Sequence, residues 1–231
     1  FDPKKTHFII DTKHADLMYK EACKVAKKIT FSMVKSSFGM NEQSNIGSIF
    51  YTSMQAVPSF LPSVLKGKNI PCLIPHAIDQ DPHFRITRDI MPKIGHYKPA
   101  SIQCIFLPPL SGVSGKMSSS EDVSIFTTDS PKEVERKIKK YAFSGGRDTI
   151  EEHRKKGGDP SIDVSFQYLR MFFEEDDEKL KKIEEDYKSG KLLTSELKDH
   201  LIKKINNFLA NHQRRREKAK KEIDKFIFKK K

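Results

Sequence analysis

Residues 71–89 carry the stretch PCLIPHAIDQDPHFRITRD, in which an apolar segment is followed by a polar turn and a helical pattern. It predicts a short buried strand and then a helix with Asp81 as N-cap and Pro82 at its first position. Asp79 and Gln80 then lie where a parallel strand ends, the crevice in which open α/β sheets bind ligands. Turn and capping chemistry is the alternative, which explains Asp81 well but gives no strong reason for the amide of Gln80.

The sequence around this stretch predicts an α/β fold with a parallel sheet, followed by an all-α part. Up to about residue 129, strand-like and helical segments alternate, as in parallel α/β sheets. The strand-like segments are 6–11, 71–78 and 101–107, and the helical ones are 16–29, 31–38 closed by Gly39, and 46–55. From Ser130 onward the pattern is helical, opened by a capping box of Ser130 and Glu133 with Pro131 at the first helical position.

Further helices are predicted in the C-terminal part. Asp148 with Glu151 opens one that ends at Gly157-Gly158, and Thr194 caps a long final helix. The two between them cover 164–173 and 176–188, the latter closed by Gly190. One apolar stripe of the final helix is predicted to serve packing, and it consists of Leu197, Leu201, Ile205, Phe208 and Leu209.

Composition limits the classes of protein and of partner. A net charge of +12 and a pI near 9.4 favour a polyanionic partner. Solvated helix faces are the ordinary alternative for lysine-rich runs such as 132–140 and 214–221. No apolar run approaches the roughly 20 residues that span a bilayer, so no membrane association is expected. Three widely spaced cysteines, Cys23, Cys72 and Cys104, predict free thiols in a reducing compartment and no metal site.

Residues 116–120 form a second candidate site. Lys116, Met117, Ser118, Ser119 and Ser120 follow the glycine- and serine-rich run SGVSG at 111–115. An ammonium group and three hydroxyls on such a loop can close over a polyphosphate and meet the charge that grows on a leaving pyrophosphate. A polar surface loop without function is the alternative for these residues taken alone.

Four segments in this order resemble a known family. They are MQAVPSF at 54–60, AIDQDP at 77–82, KMSSS at 116–120, and AFSGGRDTIEEHR at 142–154 with Gly157-Gly158. Together they look like the C-terminal two thirds of a eukaryotic-type tryptophanyl-tRNA synthetase, a class I aminoacyl-tRNA synthetase. The resemblance covers nearly the whole chain.

The resemblance implies a domain organisation. Residues 1–129 would be the C-terminal part of a Rossmann-like catalytic domain that includes the KMSSS loop, and residues 130–231 an α-helical anticodon-binding domain. The family's HIGH motif is absent. The partial match Ile94-Gly95-His96 lacks the first histidine, and Gly95 there is predicted to be a C-cap. We therefore expect the chain to be a fragment that lacks the HIGH half of the ATP site and is inactive alone.

The resemblance also implies roles for single residues. Lys116, Ser118, Ser119 and Ser120 would be catalytic and, with Met117, contact ATP. Gln55 and Gln80 match glutamines that bind tryptophan, and Asp79 would contact the nucleotide or the substrate. Arg147 and Asp148 would contact the tRNA anticodon. Arg85 and Arg88 lie on one helix face, where a salt bridge and a phosphate contact are both open.

The implied substrates and partners are tryptophan, ATP with Mg, and tRNA(Trp). No tightly bound cofactor is expected, and the expected location is the cytoplasm. A homodimer is implied through the N-terminal third, although Phe31, Met33, Val34 and Phe38 could equally be core residues. Two alternatives stay open: a tyrosyl-tRNA synthetase relative, which residues 142–154 disfavour, and a non-catalytic RNA-binding or signalling fragment.

Overall fold

The structure is a computed structural model and describes residues 1–117 and 123–229. The chain divides into two compact units. The first comprises Phe1–Ile105 together with the segment from Lys225 onward, and the second comprises Phe106–Asp224. The predicted boundary between a catalytic and an anticodon-binding domain at 129/130 is a division by function and stays a prediction.

The first unit contains a parallel two-stranded sheet and several helices. The helices are α1 (Ala15–Ala26), α2 (Phe31–Phe38), α3 (Ile46–Ala56), α4 (Leu61–Lys66) and α5 (Asp81–Ile90), and the strands are β1 (Leu73–Ala77) and β2 (Ala100–Cys104). Leu73 lies opposite Ala100 and Ala77 opposite Cys104, and α5 falls between the two strands in the chain. The predicted α/β class with a parallel sheet is confirmed.

The core of the first unit forms where α1 meets the end of α3 and the end of α5. Its buried side chains are Met18, Ala22, Val25, Ala56, Val57, Phe60, Leu61, Ile90 and Met91. The spacing of Met18, Ala22 and Val25 puts all three on one face of α1. Gly39 (φ 68°) ends α2, and Gly95 (φ 83°) follows the 3₁₀ turn Met91–Ile94, so both predicted glycine caps are confirmed.

Two strand predictions are wrong in part. The sheet is not buried: every residue of β2 is exposed, and only His76 of β1 is buried. The apolar composition is that of strands covered on both faces, but the described part of the chain packs little over them. Residues 6–11 form no strand beyond a single bridge between Phe8 and Ile227, because the backbone N–H groups of Lys13 and His14 turn back to the carbonyl of Ile10.

The start of α5 also differs from the prediction. Asp81 is the first residue of the helix and not its N-cap; the cap position is Gln80, which makes no side-chain capping bond. Asp81 instead accepts a hydrogen bond from Gln103 of β2 and forms an ion pair with Arg85 at 2.5 Å. Its carboxylate therefore ties the helix to the sheet. Arg88 donates to the carbonyl of Pro99.

The second unit is helical, as predicted. It contains α6 (Pro131–Tyr141), α7 (Ile150–Lys156), α8 (Val164–Tyr168), a π-helical turn (Leu169–Phe173), α9 (Asp177–Lys188) and α10 (Thr194–Lys220). The capping box of Ser130 and Glu133 is confirmed. The core includes Val134 and Ile138 of α6 and the predicted stripe of α10, except Phe208, which is exposed.

Two predicted caps in this unit are displaced by one residue. Thr149, and not Asp148, is the N-cap of α7, where its hydroxyl accepts from the N–H of Glu152 at 3.1 Å. The cap position of α10 is Leu193, whose N–H donates to Glu196, while Thr194 lies inside the helix. None of the described helices combines the length and apolarity that crossing a lipid bilayer requires.

Candidate functional site

Two glutamines that are far apart in the chain meet at the carboxyl end of β1. Gln55 lies near the end of α3, and Gln80 ends the 3₁₀ turn Ile78–Gln80 that follows β1. Gln55 Nε2 donates a hydrogen bond to Gln80 Oε1 at 2.9 Å. The structure thus brings together the two residues that were singled out for substrate binding, at the edge where parallel sheets bind ligands.

Two aromatic residues that the sequence analysis missed support this amide pair. Tyr51 lies one turn before Gln55 on α3, and its hydroxyl donates to Gln55 Oε1 at 3.1 Å. His83, in the first turn of α5, meets the Tyr51 ring edge-on with centroids 5.5 Å apart and packs on Phe38 at 4.4 Å. The sequence signal for this contact was the i, i+4 spacing of Tyr51 and Gln55, which puts both on one face of a helix.

Burial lowers the pKa of His83, and the nearby charge of Asp79 opposes that shift. Asp79 itself is exposed in the turn between β1 and α5. An exposed carboxylate beside two carboxamides offers a ligand both charge and hydrogen-bond donors.

The strand end contributes one more unsatisfied group. His76 is buried, stacks on Phe84 with centroids 4.6 Å apart, and bonds through Nδ1 to the carbonyl of Ala77 at 3.0 Å. Its Nε2 has no hydrogen-bond partner among residues 1–117 and 123–229. A buried ring nitrogen without a partner is uncommon, and it lies one strand residue before the turn that carries Asp79.

Lys116 belongs to the second unit. It is exposed, and its ammonium nitrogen lies 5.4 Å from the centroid of the Phe106 ring. Gly115 (φ 95°) adopts a conformation that favours glycine. The N–H of Met117 donates to the carbonyl of Leu107 at 3.0 Å, and the Met117 side chain packs against the core of this unit. Ser118, Ser119 and Ser120 lie outside the described residues.

The segment that carries Arg147 and Asp148 is held by a buried carboxylate. Asp163 is fully buried and accepts from the N–H of Gly145 at 2.9 Å, from the Tyr187 hydroxyl at 2.7 Å, and from two backbone N–H groups at the start of α8. Burial and the Asp163 charge both raise the pKa of Tyr187. This network fixes the backbone immediately before Arg147.

Glycines let three segments approach each other around this network. A Cβ at Gly145 would lie 1.9 Å from the Asp159 carbonyl oxygen, and one at Gly157 would lie 1.8 Å from that of Lys188. A Cβ at Gly190 would lie 2.3 Å from the carbonyl oxygen of His153. His153 is buried, and its Nε2 bonds to the Leu192 carbonyl at 3.0 Å. Gly145 and His153 of the segment from Ala142 to Arg154 are therefore structural.

Arg147 and Asp148 are exposed, as are Phe143, Thr149, Ile150, Glu151 and Arg154 of the same segment. Arg147 is exposed, and its Nε donates to the Gly157 carbonyl at 3.1 Å, which fixes the side chain. Asp148 is exposed and, since Thr149 is the cap, it has no capping role. A fixed guanidinium group beside an exposed carboxylate suits recognition of a polar, planar ligand.

The thiols and the acidic groups add no further candidate. Cys23, Cys72 and Cys104 are free, and burial raises the pKa of the Cys72 thiol. Within the described ranges, no three His, Cys, Asp or Glu side chains are grouped in a way that could hold a metal ion.

Comparison with known proteins places these features in one family. The family described as "tRNA synthetases class I (W and Y)" matches residues 11–210. A tryptophan–tRNA ligase of Sulfurisphaera tokodaii is 55% identical over 99% of this chain and 58% of its own length. The cytoplasmic tryptophan–tRNA ligase of Homo sapiens is 47% identical over 97% of this chain and 49% of its own length. The chain thus spans about half, or somewhat more, of the length of these relatives.

Solved structures agree with the sequence comparison. The tryptophanyl-tRNA synthetase from Giardia lamblia is 37% identical, with a TM-score of 0.89 over 100% of this chain and 64% of that one. The Plasmodium falciparum tryptophanyl-tRNA synthetase is 40% identical, with a TM-score of 0.86 over 99% of this chain and 62% of that one.

Proposed function

The chain belongs to the class I tRNA synthetases for tryptophan and tyrosine, and we propose that the protein is a tryptophan–tRNA ligase. The observation that carries the proposal is the Gln55–Gln80 pair at the carboxyl end of β1. The relatives at 47% and 55% identity are named for tryptophan, which favours that amino acid over tyrosine.

The proposed reaction has two steps. A carboxylate oxygen of tryptophan attacks the α-phosphorus of ATP, the bond to the bridging oxygen breaks, and pyrophosphate leaves. The terminal ribose hydroxyl of tRNA then attacks the carbonyl carbon of the adenylate, and AMP leaves. No covalent bond to the enzyme forms, so the protein acts by positioning its substrates and stabilising charge. Mg²⁺ enters as part of the ATP substrate.

The amide pair is proposed to bind the amino acid. Carboxamides donate and accept at once, so Gln55 and Gln80 together can meet both the ammonium and the carboxylate of tryptophan. Asp79, exposed beside them, is proposed to contact the substrate ammonium or the nucleotide.

The loop at 116–120 is proposed to bind the phosphates. Lys116 is exposed, and the packing of Met117 against the core anchors the loop next to it. The ammonium group of Lys116, with the hydroxyls of Ser118, Ser119 and Ser120, is proposed to stabilise the charge that develops as pyrophosphate departs.

Arg147 and Asp148 are proposed to contact the anticodon of tRNA(Trp). Both side chains are exposed on a rigid turn, and unstacked anticodon bases present edges that a guanidinium group and a carboxylate can bond. The net charge of +12 supports a nucleic-acid partner in general.

We further propose a cytoplasmic homodimer. The human relative is named cytoplasmic. Of the four apolar residues considered for the dimer interface, only Phe31 is exposed; Val34 is buried, Met33 packs on the core and Phe38 packs on His83. Phe31→Asp should therefore shift the mass measured by light scattering from dimer to monomer.

The experiment for the function is amino-acid-dependent exchange between ATP and labelled pyrophosphate, using the full-length protein. We expect exchange with tryptophan and background exchange with tyrosine. Exchange that requires tyrosine would favour the tyrosyl alternative. Background exchange with both, together with tRNA binding, would favour the non-catalytic alternative.

A further inference from the structure

The hydrogen bonds from Tyr51 to Gln80 run in one direction. The phenol hydroxyl of Tyr51 donates to Gln55 Oε1 at 3.1 Å. A carboxamide has its acceptor on one side and its donors on the other, so the nitrogen of Gln55 faces Gln80. It donates to Gln80 Oε1 at 2.9 Å.

This direction determines what Gln80 offers to a ligand. Because Gln80 Oε1 already accepts from Gln55, the NH₂ group of Gln80 is the end of the chain of bonds. An NH₂ group donates and does not accept, so it suits a carboxylate, while an ammonium group is left only the second lone pair of Gln80 Oε1. Without the Tyr51 hydroxyl, the Gln55 carboxamide could turn over, and Gln80 could then present its oxygen.

We propose that Tyr51 is a positioning residue, which fixes the Gln55 and Gln80 carboxamides so that Gln80 donates to the carboxylate of tryptophan. The inference rests on the proposed function and adds to it a residue and a direction. Tyr51 acts through Gln55 and does not itself contact the substrate.

The environment of Tyr51 holds its ring for this role. His83 meets the ring edge-on at 5.5 Å, and Phe38 supports His83 from the other side at 4.4 Å. Tyr51 is 51% exposed, so its hydroxyl can be removed without leaving a buried cavity. Loss of the hydroxyl therefore tests the hydrogen bond and not the packing.

The test is Tyr51→Phe in the full-length protein, measured by tryptophan-dependent pyrophosphate exchange and by ligand binding. We expect the KM for tryptophan to rise about threefold to tenfold, as the loss of one hydrogen bond gives, with kcat changed less than about twofold. The Kd of tryptamine, which lacks the carboxylate, should not change. The same Tyr51→Phe change in a Gln55→Ala background should have no further effect.

Tyr19→Phe is the matched control. Tyr19 is 54% exposed and its ring stacks on Phe50, the neighbour of Tyr51. Its hydroxyl makes no hydrogen bond within the described part of the chain, so this variant should keep the wild-type KM.

Three results would overturn the inference. The KM of Tyr51→Phe could equal that of wild type, tryptamine could lose as much affinity as tryptophan, or the effects of Tyr51→Phe and Gln55→Ala could be additive. Wild-type exchange that does not depend on tryptophan is a different result, because it overturns the proposed function together with the inference.

Discussion

The turn that carries Gln80 and the turn that carries Arg147 are held in opposite ways. Gln80 receives one side-chain hydrogen bond from the described residues, and Asp79 beside it is exposed. The backbone before Arg147 is bonded to the fully buried Asp163 and passes within contact distance of Asp159. The first turn is short and lightly held, and the second is embedded in packing.

The difference separates two kinds of sequence signature. The long segment AFSGGRDTIEEHR mainly serves packing, since Gly145 and His153 meet backbone atoms of distant segments and Gly146 lies against the Thr194 side chain. Arg147 and Asp148 are the exposed residues of this segment that are proposed to bind. The short segment IDQ contributes little to packing, so its polar residues are better explained by binding. The predictions below test this contrast.

The largest effect is expected for Gly145→Ala. A Cβ there would lie 1.9 Å from the Asp159 carbonyl oxygen, a backbone atom that has no room to move. We expect a loss of about 4 kcal/mol or more in the free energy of unfolding and a fall in Tm of about 10 °C. Gly112→Ala is the control, because no atom lies within 4 Å of its added Cβ. Equal Tm values for the two variants would show that the turn is not held by packing.

Lys116→Ala should affect catalysis and not stability. Its ammonium group is proposed to meet charge that develops only as pyrophosphate leaves, so adenylate formation should slow by about two to three orders of magnitude. The Kd for tryptophan should stay near the wild-type value. Rapid-quench measurement of adenylate formation checks this, with the exposed Lys132→Ala as control. Slowing by Lys132→Ala to the same extent would point to a general effect of charge.

Gln80→Ala should act on binding. It would remove the proposed hydrogen bond to a charged group of the substrate, so the KM for tryptophan should rise about tenfold to a hundredfold and exceed the fall in kcat. Steady-state pyrophosphate exchange measures both constants, and the exposed Gln43→Ala provides the control. Equal tryptophan KM changes for Gln80→Ala and Lys116→Ala would show that the two roles are wrongly divided.

The sequence predicted features that depend on neighbouring residues better than those that depend on distant parts of the chain. The capping box at Ser130 and the glycine ends at Gly39 and Gly95 depend on neighbouring residues, and all are confirmed. The cap of α7 was predicted one residue early, because Thr149 fits that position. Asp81 lies one residue inside α5, where its carboxylate is held by Gln103 and Arg85. Residues 6–11 have strand-like composition, but the described chain offers only a single bridging partner.

The candidate site was predictable only in part, for a related reason. Gln80 was found from its place at the end of a predicted strand and Gln55 through the resemblance, but their contact joins residues 25 positions apart and has no local signal. His83 and Tyr51 were missed because an aromatic residue on a helix more often indicates packing than support for a neighbouring amide. Gly157 and Gly190 have a structural role because each lies against the backbone of a distant segment, and sequence periodicity does not reveal such contacts.

The most direct test of the contrast is aminoacylation by Arg147→Ala, compared on tRNA(Trp) and on the same tRNA with a changed anticodon base. Because the Arg147 side chain is exposed and donates from Nε to the Gly157 carbonyl, we expect a fall in Tm of no more than about 2–4 °C, unchanged adenylate formation, and a loss of about tenfold in kcat/KM on the native tRNA. The anticodon change should lower the kcat/KM of wild type more than that of the variant. If the variant discriminates anticodons as well as wild type does, Arg147 belongs to the packing of the turn and the contrast fails.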